Sequence, residues 1–262
     1  RLLELKPDDA QALERLDALC EKQERWPELA DVIGRRLALP GGDLDFDLRT
    51  RLAVVRETRL LDKLGSLELY AQVVAAQPKH PAALAQLEAW AQREPQNKQL
   101  VEVLLAAFRT ASEQVKLPAL IELRVGASAD PFERKQLLVE LAGLRESEKD
   151  PEGLFGALSR AFQEDPNDSA LRARLSKSAD AARSYPELAQ LYEEELPRIA
   201  ETKDAAAVLL ELGGLYEQHL SNPARAIEVL ERSRELDAGT SLSALTALAR
   251  LYGQAGRSDR LV

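Results

Sequence analysis

The chain has 262 residues, a formal charge of −9, 45% hydrophobic residues and 5% aromatic ones. That is apolar enough to build a core, which excludes wholesale disorder, and the acidic balance argues against nucleic acid as the main partner, because phosphate binding needs a basic face. No apolar run reaches the ~18 residues of a membrane span, and the single Cys20 excludes an internal disulfide framework.

In chain order, the first amphipathic stripe is Leu13, Leu16 and Cys20, spaced as on one helix face. Arg25-Trp26-Pro27-Glu28-Leu29-Ala30 then predicts a turn and a new helix. Trp26 is read as the last residue before the turn, Pro27 opens the helix, and Leu29 is the first residue to face its partner. The same words return at Ser184-Tyr185-Pro186-Glu187-Leu188-Ala189, and more loosely at Lys116-Leu117-Pro118-Ala119-Leu120. Gly41-Gly42 reads as a joint between helices, and His80-Pro81 as a solvated helix start. Asp130-Pro131, Asp150-Pro151 and Asn222-Pro223 each set a capping side chain before a proline at the first helical position. Asp130 with Glu133 has the capping-box spacing. Leu188, Leu191, Tyr192, Leu196 and Ile199 form one further stripe, and Leu209, Leu212, Tyr216 and Leu220 another. No stretch alternates with the period of a half-buried strand. The expectation is an all-α chain of about fourteen helices of roughly 11 to 20 residues, with proline excluding a continuous coiled coil.

Equivalent helix ends fall at positions 7, 78, 166 and 238, spaced by 71, 88 and 72 residues. A unit of about 72 residues is two helical hairpins of about 36. The long unit carries one added helix, placed near residues 81–93. The domain reading is one continuous helical-repeat array over residues 1–262, with units 7–77, 78–165, 166–237 and a partial 238–262. The chain has no Met and opens with Arg1; Leu2-Leu3-Glu4-Leu5 and Arg260-Leu261-Val262 read as parts of neighbouring helices, so a fragment of a longer array is expected. Abundant Ala and Leu, with Arg favoured over Lys, suggest a bacterial source, and no leader is visible, which favours a cytoplasmic setting.

Leu212-Gly213-x-x-Tyr216 followed by Ala226, Leu230 and Ser233, and then Leu248-Ala249-x-x-Tyr252 with Gly256 at a turn, resemble the tetratricopeptide (TPR) repeat. Pro at the end of the second helix is replaced by Ala238. Leu141-Ala142 with Pro166, and Leu16-Asp17-x-x-Cys20, are fainter copies. The resemblance implies a right-handed α-solenoid, a superhelix of stacked antiparallel hairpins. Small residues at Gly213, Ala226 and Ala249 would let helices approach, and Tyr216 and Tyr252 would plug the gaps between hairpins. It also implies a concave groove lined by the first helix of each hairpin. Carried over residue by residue, the groove positions are Gln136, Val139, Gly143 and Glu146, then Leu210, Gly214, Glu217 and Gln218, then Ser243, Thr246, Arg250 and Gln254. The ladder of Lys and Asn that grips a C-terminal carboxylate in chaperone-binding members is absent from these positions.

The residues carry no catalytic, cofactor-binding or metal-binding motif. No phosphate-cradling glycine loop is written. His80 and His219 belong to different hairpins, with His219 in the last turn of its helix; Cys20 holds a plug position; Trp26 and Trp90 are read as packing residues before ligand platforms. Glu193-Glu194-Glu195 reads as the wet face of a helix. The function expected is therefore a non-catalytic scaffold holding a peptide or partner helix in its groove, with no cofactor and no nucleic acid. The alternatives are an accessory region of a larger enzyme or regulator, or an RNA-reading repeat, which the charge disfavours.

Overall fold

The computed structural model describes residue 6, residues 8–237 and residues 241–254. Expectations placed on Leu2–Leu5, Pro7, Ala238, Gly239, Gly256 and residues 260–262 lie outside the described residues. Every regular element described is helical. The chain divides into two compact units, residues 1–127 and 128–262.

The first unit contains α1 (Ala10–Lys22), α2 (Trp26–Leu37), α3 (Phe46–Thr58), α4 (Lys63–Ala76), α5 (Pro81–Arg93), α6 (Lys98–Ala111) and α7 (Leu117–Ala127). The second contains α8 (Pro131–Ser147), α9 (Pro151–Glu164), α10 (Ser169–Ala182), α11 (Tyr185–Glu195), α12 (Thr202–Gln218), α13 (Pro223–Leu236) and α14 (Leu242–Gln254). Short 3-10 turns lie at Gly42–Leu44 and Leu196–Arg198. Within each unit, successive helices pack on one another as antiparallel neighbours, and α3 also meets α5, α4 meets α6, and α9 meets α11. This is an architecture of stacked antiparallel helical hairpins.

Two kinds of joint recur along the chain. The turns after α1, α3, α6, α8, α10 and α12 each hold one left-handed residue, at Glu24, Leu61, Ser112, Lys149, Arg183 and Ser221. Backbone bonds close them in the Schellman manner, for example Arg25 N–H to Cys20 O at 2.9 Å and Ser184 N–H to Ala179 O at 3.2 Å. The other kind is a proline turn whose fourth residue caps the next helix. Gln77-Pro78-Lys79-His80, Glu94-Pro95-Gln96-Asn97 and Asp165-Pro166-Asn167-Asp168 all close by a bond from the fourth N–H to the first C=O, at 2.9, 3.0 and 3.4 Å. The helix α5 stands between two joints of this second kind.

The expected caps at Asp130, Asp150 and Asn222 accept from the N–H groups of Phe132, Gly153 and Arg225. Glu133 works through an intermediary: it accepts from Ser128 Oγ, which itself accepts the Asp130 N–H at 3.3 Å. Other expectations need correction. Trp26 and Tyr185 are the first residues of α2 and α11, and Leu196 and Ile199 do not continue the α11 stripe. Pro197 has no N–H to offer, so the chain tightens into the Leu196–Arg198 turn and leaves it extended at Ile199. Leu220 lies beyond the end of α12 for the same kind of reason, since the chain turns left-handed at Ser221.

Each unit holds a small core cluster. Cys20, Leu29, Ile33, Leu48, Leu52 and Val55 join α1, α2 and α3, with Trp26 partly buried against them. Ala226, Ile227, Leu230, Leu248, Leu251 and Tyr252 join α13 to α14, with Leu210 and Tyr216 packed against them. A Cβ on Gly213 would lie 2.5 Å from Leu230 Cγ, so the close approach read from the sequence is present there. Ala249 is exposed among the described residues.

Candidate functional site

The residues marked for the groove sit on α8, α12 and α14, all within the second unit. The structure places α8, α10, α12 and α14 in a row joined by side chains one repeat apart. Arg174 on α10 lies 3.8 Å from Glu146 on α8. Arg172 Nε meets Glu211 on α12 at 3.2 Å, and Ser176 Oγ donates to the same carboxylate at 3.1 Å. Arg250 on α14 donates to Glu217 on α12 at 2.5 Å. The separations of 35 residues for Ser176–Glu211 and 33 for Arg250–Glu217 are the repeat period expressed as chemistry.

Along this row Gln136, Glu146, Gln218, Ser243, Thr246, Arg250 and Gln254 are exposed, while Val139, Leu210 and Glu217 are half-buried. Of the ten, the structure brings Glu217 and Arg250 into direct contact. Leu210 leans onto the α13–α14 cluster, and the Thr246 hydroxyl is spent on the Leu242 carbonyl of its own helix at 2.7 Å. No side chain can project from Gly143 or Gly214, and the space above both is open. The row thus presents amides, a hydroxyl and mutually neutralised charges. It suits contacts to a polypeptide backbone better than capture of a single strong charge.

The row is held from behind by a tyrosine–glutamate device that the sequence reading missed. Tyr192 Oη donates to Glu211 at 2.8 Å and Tyr216 Oη to Glu193 at 2.8 Å; Tyr252 donates to Glu231, and Tyr70 reaches Glu57 at 3.4 Å in the first unit. Burial pushes the Tyr192 phenol well above its ordinary range and the Glu211 charge pushes it further. Tyr70 is shifted the same way by burial and Glu57. These hydroxyls are fixed donors, neutral across the physiological range. A signal existed: four of the five tyrosines lie 13 to 23 residues from their glutamate, the reach between adjacent helices.

The remaining chemical candidates resolve into structural roles. His80 is not a solvated start. It is 6% exposed, its Nδ1 accepts the Ala83 N–H at 3.2 Å, and Nε2 lies 3.2 Å from Asp47. It occupies the capping place that Asn97 and Asp168 hold in the two matching proline turns, the pattern that could have revealed it. His219 follows the last residue of α12 and stacks on Tyr185 with ring centres 3.6 Å apart. Trp90 is 1% exposed and meets Tyr70 edge-on, and the Arg59 guanidinium lies 4.5 Å over Trp26. Cys20 is buried. Among the described residues no group of three or more His, Cys, Asp or Glu could hold a metal ion, and no helix is long and apolar enough to cross a membrane. In the first unit an apolar groove of about 480 Å³ opens between α5, α6 and α7, floored by Leu104, Phe108 and Leu120.

No protein-family model matches the chain, and no curated protein matches it. Solved structures do. One is a chain of the Naa15/Naa10 assembly bound to HypK-THB, at 12% identity and a TM-score of 0.44, over 96% of this chain. This chain spans 35% of that one's length. A second is the C-terminal part of a TPR repeat-containing protein from Cytophaga hutchinsonii, at 15% identity and a TM-score of 0.33, covering 89% of this chain and 98% of that one. A third is Pseudomonas aeruginosa pilF, at 14% identity and a TM-score of 0.31, covering 94% and 100%.

Proposed function

We propose that the chain is a protein-interaction scaffold and that the α8–α10–α12–α14 row of the second unit receives an extended peptide or a partner helix. The observation that carries this reading is the set of cross-helix bonds Glu146–Arg174, Arg172–Glu211 and Glu217–Arg250. They hold four helices in register while Gln136, Gln218, Ser243 and Gln254 remain exposed between them. A prearranged polar row of this kind lowers the ordering cost of binding, since only the partner has to be immobilised.

The test is a pull-down from the source organism with the wild-type chain and with a Gln218→Tyr/Ser243→Tyr variant, which crowds the row without changing charge. A direct partner should be retained by the wild type and by a variant at exposed Glu235 on α13, and lost from the crowded row. A partner set unchanged by crowding the row would defeat the proposal.

A further inference from the structure

The run Glu193-Glu194-Glu195 is not one wet face. Glu193 is half-buried and accepts from Tyr216 Oη and from Nε and Nη2 of Arg225. Glu195 is 7% exposed and paired with Arg198 at 2.5 Å. Glu194 alone is exposed, and its bond is to the neutral amide of Gln190 at 2.8 Å. Glu187 stands on the same edge of α11, seven residues earlier, and is exposed.

That edge is one wall of a trough of about 240 Å³ between α9 and α11. The two helices are alternate members of an antiparallel series, so they run the same way. Gly156, Ser159 and Gln163 form the facing wall, and Phe155 and Leu191 line the trough between them. A Cβ on Gly156 would meet nothing within 4 Å, so the trough is open above it. The Ser159 hydroxyl is turned back to the Phe155 carbonyl at 2.8 Å. Arg198, four residues after Glu194, is held by Glu195 and the Gln163 carbonyl. The second unit as a whole carries 24 acidic residues against 17 basic ones.

From this geometry we infer that the α9–α11 trough is a second docking site, separate from the first-helix row, and that its occupant is a basic peptide segment. The volume is below the ~300 Å³ at which small-molecule pockets begin, but it accommodates the stem of a long side chain. An arginine or lysine fits both halves of the site. Its methylenes lie along Phe155 and Leu191 while its charged end meets Glu187 or Glu194. The spacing of those two carboxylates along one helix edge accepts successive basic side chains of an extended segment.

The test is fluorescence anisotropy with the whole chain and two labelled probes, (Arg-Leu-Ala)4 and (Glu-Leu-Ala)4. The basic probe should bind and the acidic probe should not. Glu187→Gln/Glu194→Gln should weaken the basic probe by ~10-fold or more, while the charge-matched Glu201→Gln/Glu235→Gln should leave it within ~3-fold of the wild type. Gly156→Trp fills the trough without removing charge and should also abolish binding; a circular dichroism melt confirms that each variant is folded. The row variant Gln218→Tyr/Ser243→Tyr should bind the basic probe normally, which separates this site from the one proposed above. Equal losses in the two charge variants would mean diffuse attraction and overturn the inference, as would binding of the acidic probe or no binding by the wild type.

Discussion

Gly213 and Gly214 are neighbours on α12 with opposite expected responses to the same substitution. Either one, changed to Ala in a helix interior, gains about 1 kcal/mol of intrinsic helix propensity. At Gly214 the new Cβ meets nothing within 4 Å, so Gly214→Ala should show that gain in full. At Gly213 the new Cβ would stand 2.5 Å from Leu230 Cγ and 2.6 Å from its Cδ2. Leu230 is 1% exposed and wedged among Ile227, Leu248, Leu251 and Tyr252, so it has little room to swing away. Overpacking of this kind costs about 1–3 kcal/mol, which cancels or outweighs the propensity gain, and Gly213→Leu should cost more than Gly213→Ala. Urea unfolding followed by helical circular dichroism, with a Leu230→Ala background as the second arm, resolves the terms. In that background the clash is gone, and Gly213→Ala should become stabilising. If Gly213→Ala stabilises the wild-type chain as much as Gly214→Ala does, the helices are not in close contact and the packing argument fails.

Acid should act on the second unit through Glu193 and Glu164. Burial pushes Glu193 up, but the bonds from Arg225 and Tyr216 outweigh it and hold this carboxyl below its usual range; the Arg134 fork does the same for Glu164. A carboxyl lowered in the folded state contributes stability that is present above its unfolded value, near pH 4.3, and lost as pH falls through the folded one. A melting series from pH 6 to pH 3 should therefore fall more steeply for the wild type than for Arg225→Gln/Tyr216→Phe. Cys20, 2% exposed, should be silent to a thiol reagent in buffer and react fully in denaturant; rapid labelling of the native chain would contradict the burial.

What the sequence disclosed, and what it hid, follows the physics of each signal. The proline-opened helices at Trp26, Leu117 and Tyr185 were legible because proline both marks and enforces a helix start. The left-handed residue in each of six turns was not legible, because none of Glu24, Leu61, Ser112, Lys149, Arg183 and Ser221 is the glycine that usually signals that conformation. His80 was misread because a histidine can cap only through one ring nitrogen, a role set by the turn before it. Glu193 could not be told from Glu194 by local pattern, because its partners Tyr216 and Arg225 sit on other helices, whereas Glu194 and Glu195 bond to Gln190 and Arg198 close by in the chain.

The helix α5 lies between two bends of the same kind. A chain that zigzags must keep its two kinds of bend on opposite rims for as long as its segments come in pairs. One unpaired segment breaks that parity. In the first unit the bends at Glu24 and Leu61 share a rim, and the next bend of their kind, at Ser112, falls on the other. The α6–α7 pair is thereby turned end for end relative to α1–α2 and α3–α4. A surface read off by copying one hairpin onto the next would be upside down from residue 98 to residue 127.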